Sequence, residues 1–171
     1  WIDKHDINRR HVHVKKGNYT AQAYITTDID DNQITAFHPG AMSLSHETPI
    51  SEAKDIKLAI VAPDGRDGMI QHAQQLHEAG IPFIFDPGQG LPMFDGDDLM
   101  NFTKQATYIA LNDYEAQLFQ DRTGLSPHEL ADHVEALIIT RGAEGSHIYT
   151  EGKRIDIPCA KAEKLADPTG C

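Results

Sequence analysis

The chain contains four residues near position 170 whose types suit a loop that binds an anion: Asp167, Pro168, Thr169 and Gly170. A Thr-Gly pair after a turn-forming Asp-Pro lets the backbone approach a phosphate closely and directs N–H groups at it. The same four residues also suit an ordinary surface turn, so this motif alone leaves both interpretations open.

Asn112 and Glu115 form a second candidate group, three residues apart across a predicted helix start. This spacing puts both side chains on one face, where an amide and a carboxylate can hold hydrated Mg²⁺ near phosphates. Helix capping explains the same spacing, with Asn112 as N-cap and Glu115 in the first turn. Both interpretations can hold at once.

A third group, Thr140, Arg141 and Gly142, follows a predicted buried strand. A small residue beside a cation can approach a polyphosphate, and an arginine can contact phosphate oxygens with two parallel hydrogen bonds. A tight turn with a solvated arginine is the alternative. The sequence has neither a GxxxxGK[ST] run nor a GxGxxG run, which argues against a P-loop nucleotidase and a dinucleotide-binding protein.

Alternating short apolar runs and helical patterns after about residue 55 predict a mostly parallel sheet that presents these groups at one edge. The predicted parallel strands are residues 56–61, 81–85, 107–111 and 136–140, followed by a hairpin of residues 146–150 and 153–157. Ser126, Pro127 and Glu129 predict a capping box that opens a helix through Val134. Residues 9–41 differ, because alternation at 11–14, 21–28 and 33–38, with a turn at 30–32, predicts a small antiparallel sheet.

The composition narrows the class of ligand. A net charge of −11 and a pI of about 5.2 argue against nucleic acid and anionic membranes as partners, whereas a small molecule fits. Without an apolar run of membrane-spanning length or a leader, we expect a soluble cytoplasmic protein. Cys159 and Cys171 lack metal-ligand spacing and are expected to be free thiols. Because Trp1 stands in place of Met, we expect the natural ends of the protein to lie beyond this sequence.

Together these motifs resemble the ribokinase-like (PfkB) family of carbohydrate and nucleoside kinases, and in particular its bacterial adenosine kinases. The resemblance covers essentially the whole chain, and five motifs occur in the family order. They are Pro39-Gly40-Ala41, Asp86-Pro87, the NxxE of Asn112 to Glu115, the TRGxxG of Thr140 to Gly145, and the start of a D-[TP]-T-G-x-G-D loop at Asp167.

The resemblance implies an α/β three-layer fold with a mostly parallel central sheet and a small β-sheet lid, both ends of the fold being absent from this chain. Residues 9–41 would be part of the lid, and residues 1–8 and 42–171 the central part of the kinase domain. The lid would exclude water, and Phe37 on it would stack on a base if the acceptor is adenosine, or else pack the lid against the domain. Lid sheets pair between subunits in some relatives, which raises the expectation of a homodimer.

The implied reaction is transfer of the ATP γ-phosphoryl group to a primary hydroxyl, with adenosine as the first acceptor to consider. Thr169 and Gly170 would begin the anion hole, and the catalytic Asp would lie two residues beyond Cys171. Glu115 would bind Mg²⁺ through water together with Asn112, and Asp167 and Thr169 would bind an activating K⁺. The ATP-binding residues implied are Asn112, Glu115, Thr140, Arg141, Gly142 and Gly145. A sugar kinase of the same family and a noncatalytic ligand-binding α/β protein remain the alternatives.

Overall fold

The computed structural model describes residues 1–29 and 33–161, which contain two separate sheets. The first is an antiparallel pair of β1 (Gln22–Thr27) and β2 (Gln33–His38). The second has six strands in sequential order: β3 (Ala59–Val61), β4 (Phe83–Phe85), β5 (Tyr108–Asn112), β6 (Ala136–Thr140), β7 (Ser146–Thr150) and β8 (Lys153–Ile157). The helices are α1 (Arg66–Glu78), α2 (Gly96–Gln105), α3 (Asp113–Thr123) and α4 (Pro127–Ala131), with 3-10 turns at Asp3–His5, Gly40–Glu47, Ile50–Glu52, Gly88–Met93 and Gly142–Glu144.

Strands β3 to β6 are parallel, and β7 and β8 complete the sheet as an antiparallel hairpin. This confirms the predicted α/β class with a mostly parallel sheet. Because each parallel strand lies beside the one before it and crossovers are right-handed, the connecting helices pack on the same face. The carboxyl ends of β3, β4, β5 and β6 therefore meet at one edge.

The core lies between this face and the helices. Alternate strand residues such as Phe85 and Ile109 are fully buried, whereas Ile60, on the opposite face of β3, is 62% exposed. Phe102 of α2 stacks on Phe85 with ring centroids 4.2 Å apart and meets Phe94 edge-to-face at 5.0 Å. Burial of these large rings is the main force that fixes the helices on the sheet, and with them the strand ends.

The helix boundaries follow local signals. The predicted capping box of Ser126 and Glu129 is present, and Pro127 occupies the first helical position of α4. This helix ends at Ala131, three residues before the predicted Val134. None of the described helices is long and apolar enough to cross a membrane; α1, the longest, has 13 residues.

The two-stranded sheet has little packing of its own. Every residue of β1 is exposed, including Ile25 at 56%. The predicted strand at residues 11–14 is wrong, because these residues pair with neither sheet in the described part of the chain, and a strand persists only with a hydrogen-bonded partner. The predicted turn at 30–32 lies outside the described residues.

Candidate functional site

A cleft of about 990 Å³ lies between the two-stranded sheet and the carboxyl ends of β3, β4 and β5. Its lining comes from six places in the chain: Ala21 and Phe37; Pro39, Met42 and Ser43; Pro63 to Asp67; Gly88 to Gly90; Met93; and Asn112 with Glu115. This volume suits a nucleoside-sized ligand together with part of a second molecule. Three of the sequence-predicted site residues, Phe37, Asn112 and Glu115, therefore share one cavity.

Asn112 and Glu115 form a closed capping box at the start of α3. Asn112 Oδ1 accepts a hydrogen bond from the Glu115 backbone N–H at 2.7 Å. In return, Glu115 Oε2 accepts from the Asn112 backbone N–H at 2.8 Å, and Oε1 accepts from Asn112 Nδ2 at 2.8 Å. The carboxylate is thus held through both oxygens, and each oxygen keeps a further lone pair for a metal-bound water. Hard oxygen donors of this kind match Mg²⁺, so capping and metal binding are compatible here.

Thr140 lies directly beside Asn112, since the two residues are opposite each other in the parallel β5–β6 pair. Its hydroxyl donates to the Leu111 carbonyl at 3.4 Å. The following Arg141 is not among the residues that line the cleft. Its guanidinium pairs with Glu144 and contacts His147 Nε2 at 3.1 Å. Thr140 therefore neighbours a cleft residue, but neither Thr140 nor Arg141 lines the cleft, and the arginine side chain is bound to neighbours on the β6–β7 turn.

Gly145 ends that turn in a conformation that only glycine tolerates. Its φ is +91°, and a Cβ at this position would lie 2.0 Å from the Ile157 carbonyl oxygen. The Gly145 carbonyl accepts a hydrogen bond from the Arg141 backbone N–H at 2.8 Å, which closes the turn. At Gly142 a Cβ would meet no atom of residues 1–29 and 33–161 within 4 Å.

The Pro39-Gly40-Ala41 motif joins the two-stranded sheet to the body of the protein. Gly40 has φ +53°, and a Cβ there would lie 2.2 Å from the Tyr19 carbonyl oxygen. Ala41 donates its backbone N–H to the same oxygen at 2.8 Å. Only glycine permits this close contact, which sets where β2 leaves the body and hence where Phe37 meets the cleft.

The start of α1 forms part of the cleft wall that the sequence analysis did not assign. Asp64 Oδ1 accepts a hydrogen bond from the Gly65 backbone N–H at 2.8 Å, and Arg66 pairs with Asp98 Oδ2 at 2.5 Å. The signal that could have identified this wall is Pro63-Asp64-Gly65 at the end of a predicted parallel strand, the position where α/β proteins bind ligands. Among the described lining residues, three are acidic, and Arg66 is the one base.

Asp86 lies at the end of β4, half-buried beside the cleft. Burial raises the pKa of its carboxyl above the ordinary value, and a hydrogen bond from the Gly88 backbone N–H opposes the shift. The following Pro87 is fully buried. The Asp-Pro motif therefore fixes the path of the chain into the Gly88–Met93 turn.

Asp167, Thr169 and Gly170 lie outside the described residues, so the predicted anion hole and monovalent-cation site stay predictions. No group of three or more His, Cys, Asp or Glu side chains in residues 1–29 and 33–161 is arranged to hold a metal ion. The predicted Mg²⁺ contact through Glu115 does not need such a group, because it involves water and phosphate oxygens as the other ligands.

Residues 1–171 match the sequence model of the family described as pfkB family carbohydrate kinase. A nucleoside kinase of Methanocaldococcus jannaschii is 32% identical over 167 residues, which are 96% of this chain and 54% of that protein. The chain spans about half the length of the curated relatives it matches.

Two solved structures of Burkholderia thailandensis nucleoside kinase are closer in sequence, each 57% identical and matched over 99% of this chain. The structure in complex with inosine superposes with a TM-score of 0.95 and is covered over 56% of its length. The complex with ADP-inosine gives a TM-score of 0.92 and is covered over 53%.

Proposed function

The chain belongs to the PfkB family of carbohydrate kinases and has its ribokinase-like fold, and we propose that the protein transfers the γ-phosphoryl group of ATP to a primary hydroxyl of a nucleoside. The observation that carries this proposal is the single cleft that joins Phe37, on the two-stranded sheet, to Asn112 and Glu115, at the strand ends. One end of the cleft offers an aromatic surface for a base, and the other offers oxygen ligands for a metal-bound phosphate.

The charge of the cleft supports a neutral acceptor. Asp64, Asp67 and Glu115 line it, while the guanidinium of Arg66 is already paired with Asp98. A phosphorylated sugar would bring a second negative charge toward these carboxylates without an unpaired lining cation to offset it. A nucleoside carries no charge at neutral pH and has an apolar face that can pack on Phe37 and Met93.

Adenosine is the acceptor we propose first, and the relative that binds inosine supports the wider class of purine nucleosides. The two nucleosides differ at one exocyclic position of the base. Sugars such as ribose remain the competing acceptors. The apolar lining residues Phe37, Met42 and Met93 favour a base over a bare sugar.

In the proposed reaction, Asn112 orients Glu115, and Glu115 holds a water of the Mg²⁺ that binds the ATP phosphates. Thr140, Arg141, Gly142 and Gly145 form the phosphate-side edge through their backbone. When bound there, Mg²⁺ would supply positive charge to offset the charge that develops on the transferred group. The residues of this chain contribute position and electrostatics, which carry most of the catalysis of phosphoryl transfer.

Residues 9–41 are proposed to act as a lid on the kinase domain formed by residues 1–8 and 42–171. Closure of β1 and β2 over the acceptor would exclude water that otherwise hydrolyses ATP. Thr169 and Gly170 are proposed to begin the anion hole, and Asp167 and Thr169 to bind K⁺. Because the proposed donor is ATP, we propose that the protein acts in the cytoplasm.

The test is ADP release by the full-length protein with Mg-ATP and one acceptor at a time: adenosine, inosine, ribose or fructose 6-phosphate. The proposal expects turnover with a nucleoside at micromolar to millimolar concentration. Turnover only with a sugar would replace it by the sugar-kinase alternative, and binding without turnover would favour a noncatalytic protein. Replacing K⁺ by choline in the same assay tests whether the reaction depends on a bound monovalent cation.

We also propose that the two-stranded sheet mediates a homodimer. It is exposed on both faces, and Ile34 is 78% exposed. Exposed apolar strands with unpaired edges pair readily with a second chain. Sedimentation of the full-length protein should show a dimer that Ile34→Asp weakens, and an unchanged dimer in that variant would place the interface elsewhere.

A further inference from the structure

One wall of the cleft is the 3-10 turn Gly88–Met93, which connects β4 to α2. Gly88, Gln89, Gly90 and Met93 all line the cleft. Within the segment, the Gly90 backbone N–H donates to Pro87 at 2.8 Å and that of Phe94 to Leu91 at 3.2 Å. Both bonds are local, so they shape the turn but do not attach it to the rest of the protein.

Besides the burial of Leu91 and Phe94 in the core, the segment is attached by Arg122, in the last turn of α3. Its Nη1 donates to the Leu91 carbonyl at 2.9 Å and also to the Phe94 carbonyl. Arg66 adds a third bond from α1, with Nε donating to the Met93 carbonyl at 3.3 Å. Hydrogen bonds from a charged donor are stronger than neutral ones, and carbonyls at the end of a helical turn favour a cation.

The backbone of Arg122 is itself confined. A Cβ on Gly96, the first residue of α2, would lie 2.4 Å from the Arg122 carbonyl oxygen. The end of α3 and the start of α2 are therefore in direct backbone contact. The contact with Gly96 confines the Arg122 backbone, while the Arg122 guanidinium bonds the 88–94 segment.

We propose that Arg122 is a positioning residue that fixes the position of the Gly88–Met93 wall relative to α3. The opposite end of α3 carries Asn112 and Glu115. One helix would then fix both the metal-side ligands and the wall that contacts the acceptor. Arg122 does not line the cleft, so it acts only through the segment it holds. The identity of the ligand rests on the proposed function, whereas the attachment of the wall does not.

The experiment compares Arg122→Ala with wild type in the full-length protein. The KM for the nucleoside should rise about tenfold, with kcat and the KM for ATP changed less than about threefold, because displacement of a wall weakens the ligand it contacts. Arg154→Ala is the matched control, since Arg154 is an exposed arginine of β8 that pairs with Asp156.

Rescue by free guanidinium separates positioning from general damage. A shallow depression of about 410 Å³, lined by Arg122 and residues 92–96, opens beside the guanidinium position. Guanidinium at about 20 mM, far below the molar concentrations that unfold proteins, should restore the nucleoside KM of Arg122→Ala. Hydrogen exchange of the 88–94 amides should be faster in this variant and slow again when guanidinium is added.

An unchanged nucleoside KM and unchanged exchange in Arg122→Ala would overturn the inference, as would a raised KM that guanidinium does not lower. If Arg122→Ala does not fold, Gly96→Ala displaces the Arg122 backbone without altering its side chain and should also raise exchange at 88–94; normal exchange there would overturn the inference. If wild type phosphorylates no nucleoside, the proposed function fails, and the exchange measurements alone decide whether Arg122 holds the wall.

Discussion

Helices α3 and α4 begin with the same capping box but lie in different surroundings. In both, a polar N-cap bonds the backbone N–H of a glutamate three residues later, and that glutamate bonds the N-cap backbone in return. Asn112 and Glu115 follow a parallel strand and line the cleft, whereas Ser126 and Glu129 start a five-residue helix and line no part of it. The same local motif therefore lines the cleft in one place and only starts a helix in the other.

The two boxes also hold their carboxylates differently. Glu115 is bonded through both oxygens, because the Asn112 side chain has a donor as well as an acceptor. Glu129 is bonded through Oε2 alone, which accepts from the Ser126 backbone N–H at 2.8 Å and from its hydroxyl at 2.6 Å. An amide at the N-cap thus fixes the plane of the carboxylate, and this orientation is what a water-bridged metal requires.

The largest expected effect comes from removing each glutamate in turn. Glu115→Ala should lower kcat for phosphoryl transfer about 100-fold, because it removes the carboxylate that we propose holds Mg²⁺ through water. Glu129→Ala should leave kcat within about twofold and lower the thermal midpoint slightly, as expected for loss of a cap contact. Steady-state ADP release and thermal unfolding measure both. Equal and small losses of kcat in the two variants would mean that the Asn112 box only caps the helix.

Exchanging the N-caps sharpens the comparison. Asn112→Ser keeps a good cap, so the free energy of unfolding should change by less than about 0.5 kcal/mol. It loses the amide donor that fixes Glu115, so the Mg²⁺ concentration for half-maximal rate should rise about tenfold. The reverse exchange, Ser126→Asn, should alter neither quantity. An unchanged Mg²⁺ requirement in Asn112→Ser would show that orientation of Glu115 does not matter.

Phe37 lines the cleft but belongs to no helix cap, so replacing it tests whether a position in the cleft, and not capping, accounts for an effect on activity. Phe37→Ala should raise the KM for the nucleoside about fivefold, the range expected for loss of one aromatic contact. Tyr24 is the control, because alternation along the paired strands puts it on the opposite face of the same sheet from Phe37. Tyr24→Ala should leave this KM within about twofold. Equal shifts in both variants would mean that the sheet acts without a specific base contact.

The smallest expected effect is the loss, at acid pH, of the stability that the Ser126–Glu129 box contributes. Hydrogen bonds from the Ser126 hydroxyl and backbone N–H lower the pKa of Glu129 below its ordinary value of 4.5. A lowered folded-state pKa stabilises the protein above the ordinary pKa, and this contribution is lost as pH falls through the folded value. The stability difference between wild type and Ser126→Ala should therefore shrink below about pH 4.5 in urea unfolding. A difference independent of pH would contradict the assigned partners; Ser51→Ala, at an exposed serine, is the control.

Much of the fold was predictable because its signals are local. The four parallel strands, the edge hairpin and the capping boxes of α3 and α4 follow from apolar runs, turn residues and N-cap spacing, whereas the box of Asp95 and Asp98 at the start of α2 was not predicted. The strand expected at residues 11–14 failed for the opposite reason, since alternation shows that a segment can pair but does not supply a partner. The early end of α4 at Ala131 reflects the weak signal of helix ends in general.

The site was predictable in part. Phe37, Asn112 and Glu115 were identified from motifs and do share the cleft. The pairing of Arg141 with Glu144 and His147 was not, because it depends on how the β6–β7 turn folds back. Arg66, Gln89 and Met93 belong to no motif and become lining residues only when their segments meet.

The amino-acid sequence alone determined which residues begin helices, which runs form strands, and which strand ends carry polar groups, because these depend on contacts within a few residues. The tertiary structure decided that the box of α3 lines the cleft while that of α4 does not, and that Arg122 bonds the carbonyls of the 88–94 segment. Those outcomes depend on the Arg66–Asp98 pair between α1 and α2, on the Arg122–Leu91 bond and on the Asn112–Thr140 register. Each joins residues that are far apart in the sequence, so it forms only when the core brings their segments together.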